Sequence, residues 1–139
     1  MEEIAIDIPA TMRGLTTALA KIEQFCAVRN LYSDQVARIR VVAEELVTNT
    51  IKYGYGGESE RPVHLRLRAG AVLTLIYEDH ARPFDPTRWR RETAPAAAHR
   101  EGRAGIDLIL GLSSTVAYEG GPEWNRLTLT FASDTGACA

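Results

Sequence analysis

The spacing of apolar residues lays out the elements of the chain. Ile4, Ile6 and Ile8 alternate with Ala5 and Asp7, the two-residue period of a half-buried strand, and Pro9 ends it. Over residues 11–29, Leu15, Ala18, Leu19, Ile22, Phe25 and Cys26 recur at helical spacing, which predicts a first helix with Thr11 as its cap. Asn30-Leu31-Tyr32 breaks that pattern. A second helix, capped by Ser33 or Asp34, then carries Val36, Ile39, Ala43, Leu46, Val47 and Thr50 on one core-facing stripe and fails at the glycines of 54–57. Val63, Leu65 and Leu67 alternate with His64, Arg66 and Arg68. With Ala69-Gly70 as a tight turn and the β-favouring run 72–77, they read as a hairpin whose His64 is a solvated residue of the outer face.

Over residues 85–101 no period persists, and a loop of that length inside a small domain reads as a lid. A short apolar helix at 102–112 follows, then strands at 114–118 and 126–131 with Gly120-Gly121-Pro122 turning between them and a frayed tail after Ser133. The order predicts an α+β fold: a two-layer sandwich with a mixed, mostly antiparallel sheet and helices on one face.

Composition narrows this without adding chemistry. A chain of 139 residues reads as a single domain over 1–139, long enough to bury roughly 68% of its unfolded surface without disulfides or metals. Its net charge of −2 offers no footprint for nucleic acid. No stretch reaches the length of a membrane span, and the acidic start shows no signal peptide, so a cytoplasmic protein is expected. Cys26 and Cys138 stand far apart without metal-ligand neighbours, and Cys26 reads as a buried apolar residue.

Three stretches carry candidate chemistry. On the second helix, at roughly 100° per residue, Glu45 and Asn49 stand nearly above one another, off the core stripe, where a carboxylate and a carboxamide can reach one ligand. Glu44 lies about 140° from Asn49 and cannot join them. The same pair also fits a solvated outer face. Asp79 follows the second hairpin strand directly. It can accept a hydrogen bond from an exocyclic amine, with Phe84 lining a base pocket, or it can simply form a turn. Gly102 and Gly105 open the short helix, where amides and the positive end of the dipole suit a phosphate.

Taken together, the three stretches resemble the GHKL ATPase superfamily and, within it, the anti-sigma-factor serine kinases of bacterial partner-switching systems. The run from Glu45 through Asn49 and Lys52 to Tyr55 resembles that family's N box, Asp79 to Pro86 its first glycine box, Gly102 to Ile106 its second, and Asn125 to Leu129 its closing strand. The resemblance spans nearly the whole chain. It implies an ATP-binding sandwich in which Asn49 ligates Mg²⁺, Asp79 recognises adenine and Glu45 is the general base. Lys52, Phe84, Gly102, Arg103 and Gly105 would also meet the nucleotide. It further implies that the substrate is a serine of an anti-sigma-factor antagonist and that a sigma factor is the second partner. Relatives associate through the sheet side, which leaves a homodimer open.

Two positions depart from the family pattern: Ala81 and Arg103 stand where glycines are usual. If either needs a positive φ, the backbone is strained by about 1 kcal/mol or more. Arg103 and Arg100 are alternative phosphate contacts. The departures also fit a second class of function, a non-catalytic module that binds a nucleotide, or none, and regulates a partner by occupancy.

Overall fold

The computed structural model describes residues 2–88 and 103–133, with Arg103 and Ala104 described by their backbone alone. Strand β1 (Glu2–Ala10) leads into helix α1 (Met12–Val28), and the Thr11 hydroxyl caps the helix as expected by accepting from the Gly14 amide at 2.9 Å. Asn30, at φ 52°, turns the chain in the left-handed conformation that asparagine tolerates. Helix α2 (Ser33–Asn49) follows, but neither Ser33 nor Asp34 caps it. Tyr32 holds the cap position without a side-chain bond. Asp34 sits inside the first turn and pairs with Arg38 at 3.2 Å. Arg38 also donates to the carbonyls of Leu112 and Ala132.

Helix α2 runs on through a wider π turn (Thr50–Gly54), and Gly56 and Gly57 then adopt φ of 73° and 139° to release the chain. Strands β2 (Ser59–Ala69) and β3 (Leu73–Asp79) form the expected hairpin. Helix α3 (Arg103–Leu112) and strands β4 (Thr115–Gly121) and β5 (Trp124–Phe131) complete the described chain. The sheet order is β1-β2-β3-β5-β4, and every neighbouring pair is antiparallel.

One face of this sheet is the core. Ile6, Leu65, Leu75 and Leu129 from four strands are fully buried against Ile22, Ile39, Val42 and Ile109 of the helices. The other face is polar and charged. His64 meets Asp7 at 2.7 Å, Arg68 meets Glu3 at 2.9 Å and Arg126 meets Glu78 at 3.1 Å, which accounts for the outward positions read from the alternation. Among the described residues, no helix is long and apolar enough to cross a membrane.

The β4–β5 connection corrects the expected turn. Gly120 and Gly121 lie inside β4, and the turn is Pro122-Glu123, with Glu123 at φ 52°. Gly120 serves close approach instead: a Cβ there would lie 2.7 Å from Tyr118 Cζ and 2.9 Å from the Trp124 carbonyl. Most of the expected lid lies outside the described residues, as do His99, Arg100, Cys138 and the tail. Its described beginning is a single 3₁₀ turn (Pro86–Arg88), braced by Asp85 accepting from the Thr87 amide at 2.8 Å.

Candidate functional site

Asp79 ends β3 on the core side of the sheet, and the residue is 7% exposed. A buried carboxylate needs donors, and it has three. Thr50 donates to Oδ2 at 2.8 Å, while Asn125 Nδ2 and the Ala81 amide donate to Oδ1 at 2.9 and 3.2 Å. Thr50 comes from the π turn after α2, and Asn125 is the register partner of Asp79 across β3 and β5. The end of the hairpin, the end of α2 and the start of β5 therefore meet at one carboxylate.

Beside it opens a cavity of about 570 Å³, within the size range of small-molecule sites. Its walls include Asn49, Thr50, Asp79, Phe84, Ile106 and Asn125. Glu45 and Asn49 are both half-buried, and neither side chain has a hydrogen-bond or ion-pair partner among the described residues. They converge on the first turn of α3. A Cβ built on Gly105 would stand 2.7 Å from Glu45 Oε2 and 3.2 Å from Asn49 Nδ2, so only glycine lets the helix start approach them this closely.

The other sequence candidates separate. Phe84 lines the cavity with its ring about half exposed, as a wall for a flat apolar ligand would be. Lys52 is exposed and is not among the residues lining the cavity. Gly102 and the Arg103 side chain lie outside the described residues. Ala81 shows none of the strain considered for it: it is absent from the residues with positive φ, and its methyl is a buried part of the cavity wall, facing Gly54.

Among the described residues, no cluster of three His, Cys, Asp or Glu side chains could cage a metal ion. The Asn49 amide, unpartnered among the described residues, fits an ion such as Mg²⁺, which keeps waters and takes few protein ligands where a phosphate supplies the rest.

Sequence reasoning missed the groups that hold Asp79 in place. Thr50 read as part of the core stripe, yet its hydroxyl meets both Asp79 and the Tyr77 phenol, the latter at 2.6 Å. Asn125 read only as part of a closing strand. Tyr55, behind the loop, takes the His80 amide at 2.8 Å and donates to the Pro62 carbonyl at 2.7 Å, while Arg61 stacks over its ring and holds the His80 carbonyl at 2.9 Å. Burial raises the phenol of Tyr77 well above its ordinary value and raises those of Tyr55 and Tyr118, so all three remain neutral donors at physiological pH. The Tyr77 signal was present in sequence as a polar tip on a strand's inward face, but its partner was not.

Residues 8–131 match the family model described as the histidine kinase-like ATPase domain. A search of curated proteins finds no match. Among solved structures, the chain is similar to the RsbU and RsbW domains of Rv1364c from Mycobacterium tuberculosis, with a TM-score of 0.66 at 15% sequence identity. That similarity covers 94% of this chain and 32% of the other, so the chain spans about a third of the length of that structure.

Proposed function

The chain belongs to the histidine kinase-like ATPase family, and on that premise we propose that it is an ATP-dependent protein-serine kinase and anti-sigma factor that phosphorylates an anti-sigma-factor antagonist. The observation that carries this reading is the convergence of Glu45 and Asn49, unpartnered among the described residues, on the glycine-opened start of α3, at the edge of a cavity that also holds Asp79. A solvated pair on an outer helix face would not be packed against Gly105. The RsbW domain in the similar structure, and the resemblance of the three sequence boxes, support the partner-switching context.

In this reading Asp79 accepts the exocyclic amine of adenine while Phe84 covers the base. Gly105 admits the phosphates to the amides at the start of α3, where the dipole favours negative charge. Asn49 would hold Mg²⁺, which neutralises charge on the phosphate oxygens when bound. Glu45 takes the proton of the incoming serine hydroxyl as its oxygen bonds to the γ-phosphorus and the bond to ADP breaks. By the resemblance to the anti-sigma-factor serine kinases, the substrate would be another protein.

The test is phosphate transfer from labelled ATP to the antagonist. Glu45→Gln keeps the side chain's shape and is expected to lower transfer by roughly 10²- to 10⁴-fold while leaving ATP binding in place. Transfer at the parent rate would refute the base assignment. Binding of Mg·ATP without transfer by the parent protein would favour regulation by occupancy.

A further inference from the structure

Asn125 makes more hydrogen bonds than any family-level reading of its strand requires. It is 9% exposed and sits at the floor of the cavity. Nδ2 faces three acceptors: Asp79 Oδ1 at 2.9 Å and the carbonyls of Ala81 and Arg82, each at 3.1 Å. Oδ1 faces two donors, the Phe84 amide at 2.9 Å and the Tyr118 hydroxyl at 2.7 Å. The amide orientation is therefore forced, since a flipped group would turn its oxygen toward three acceptors. One side chain on β5 thus pins the recognition carboxylate, both ends of the 81–84 wall and a tyrosine from β4. Gly120 is what leaves room for that tyrosine ring.

The count of acceptor sites gives this arrangement a consequence. A carboxylate oxygen accepts about two hydrogen bonds. Asp79 Oδ1 has both of its sites filled, by Asn125 and by the Ala81 amide, whereas Oδ2 has one filled, by Thr50. We propose that Asn125 is a positioning residue that sets base selectivity: by occupying Oδ1 and fixing the 81–84 wall, it leaves Asp79 a single open acceptor on Oδ2. A base presenting an amine there is bound, and a base presenting an oxo group meets an oxygen that cannot turn away. This rests on the nucleotide reading above and assigns to Asn125 the rigidity that makes it selective.

The test variant is Asn125→Leu, which keeps roughly the size of the side chain but removes the donor to Asp79 Oδ1 and the acceptor for the Phe84 amide and the Tyr118 hydroxyl.

The readout is the ratio of dissociation constants for Mg·ATP and Mg·ITP, which differ at the amine and oxo position, measured by calorimetry. Parent protein is expected to prefer ATP. Asn125→Leu is expected to lose that preference tenfold or more. Tyr118→Phe removes one bond to the Asn125 amide oxygen. It keeps the inference testable if the leucine variant does not fold, and is expected to lower the preference by a smaller factor of about threefold.

A merely structural asparagine would weaken both nucleotides alike, so unchanged ratios in folded Asn125→Leu, or in Tyr118→Phe where only that variant folds, would overturn the assignment. Parent protein that binds neither nucleotide would overturn the nucleotide reading and this inference together. Parent protein that prefers ATP beside a variant with an unchanged ratio would overturn the inference alone.

Discussion

Thr50 has one hydroxyl proton and two polar side-chain neighbours. Asp79 Oδ2, at 2.8 Å, can only accept, so Thr50 donates there, and the 2.6 Å contact with Tyr77 runs from phenol to threonine oxygen. Thr50→Val keeps the branched shape but leaves Oδ2 without a donor and the phenol with only the Leu46 carbonyl at 3.2 Å. The expected loss is about 1–3 kcal/mol, read from urea unfolding, and a variant as stable as its parent would show that this relay contributes nothing. Cys26 gives a second prediction. Burial pushes its thiol from 9.0 up to about 11, only partly offset by Arg29, so it should resist alkylation at pH 8 until the protein unfolds. The raised value means that the folded state holds this proton more tightly. Its stabilising contribution is complete below about pH 9 and is lost as pH rises through about 11. In a Cys138→Ser background, thiol labelling and urea midpoints between pH 8 and 11 check both statements. At this scale, Glu45 and Asn49 were legible because the rotation of a helix is fixed by local geometry. Asn125 was not, because its partner lies 46 residues away across a strand pairing that no local period encodes.

On the proposed function, helix α3 should matter to chemistry more than to stability. Its first turn brings Gly105 against the far end of the Glu45 side chain, and an added methyl would stand 2.7 Å from Oε2. That end is flexible, so Gly105→Ala should shift the glutamate rather than unseat the helix. A displacement of about 1 Å at a reacting group can cost on the order of 100-fold in rate, so phosphate transfer should fall at least tenfold while the melting temperature moves little. Comparing thermal melts with transfer rates checks this, and an unchanged rate would separate the helix start from Glu45. Elements with a strong period, α1, α2 and the β2–β3 hairpin, were readable nearly to their ends. The departures came where a local neighbour other than the expected one claimed the position. Asp34 pairs with Arg38 instead of capping α2, and Gly120 yields to the Tyr118 ring instead of turning the chain.

For the molecule as a whole, the decisive feature is that the last strand in sequence is not the last in space. β5 lies between β3 and β4, and its pairing with β3 sets Asn125 opposite Asp79 and Leu129 opposite Leu75. The same strand therefore completes both the core and the site, and the two contributions can be separated by substituting different positions on it. Leu129 is fully buried and is not among the residues lining the cavity. Leu129→Ala should cost about 2–5 kcal/mol, which for a domain of this size lowers the melting temperature by roughly 10 °C. Because the cavity walls are untouched, Mg·ATP at about 100 times its dissociation constant should still add about 2.7 kcal/mol, the increment expected for the parent. Asn125→Leu should reverse the pattern, with a smaller ATP-induced increment whatever its melting temperature without ligand. Melting curves of both variants with and without Mg·ATP test this. Equal losses of increment would mean that β5 acts on the site only through the general integrity of the sheet, whereas loss at Asn125 alone would place recognition in that one amide.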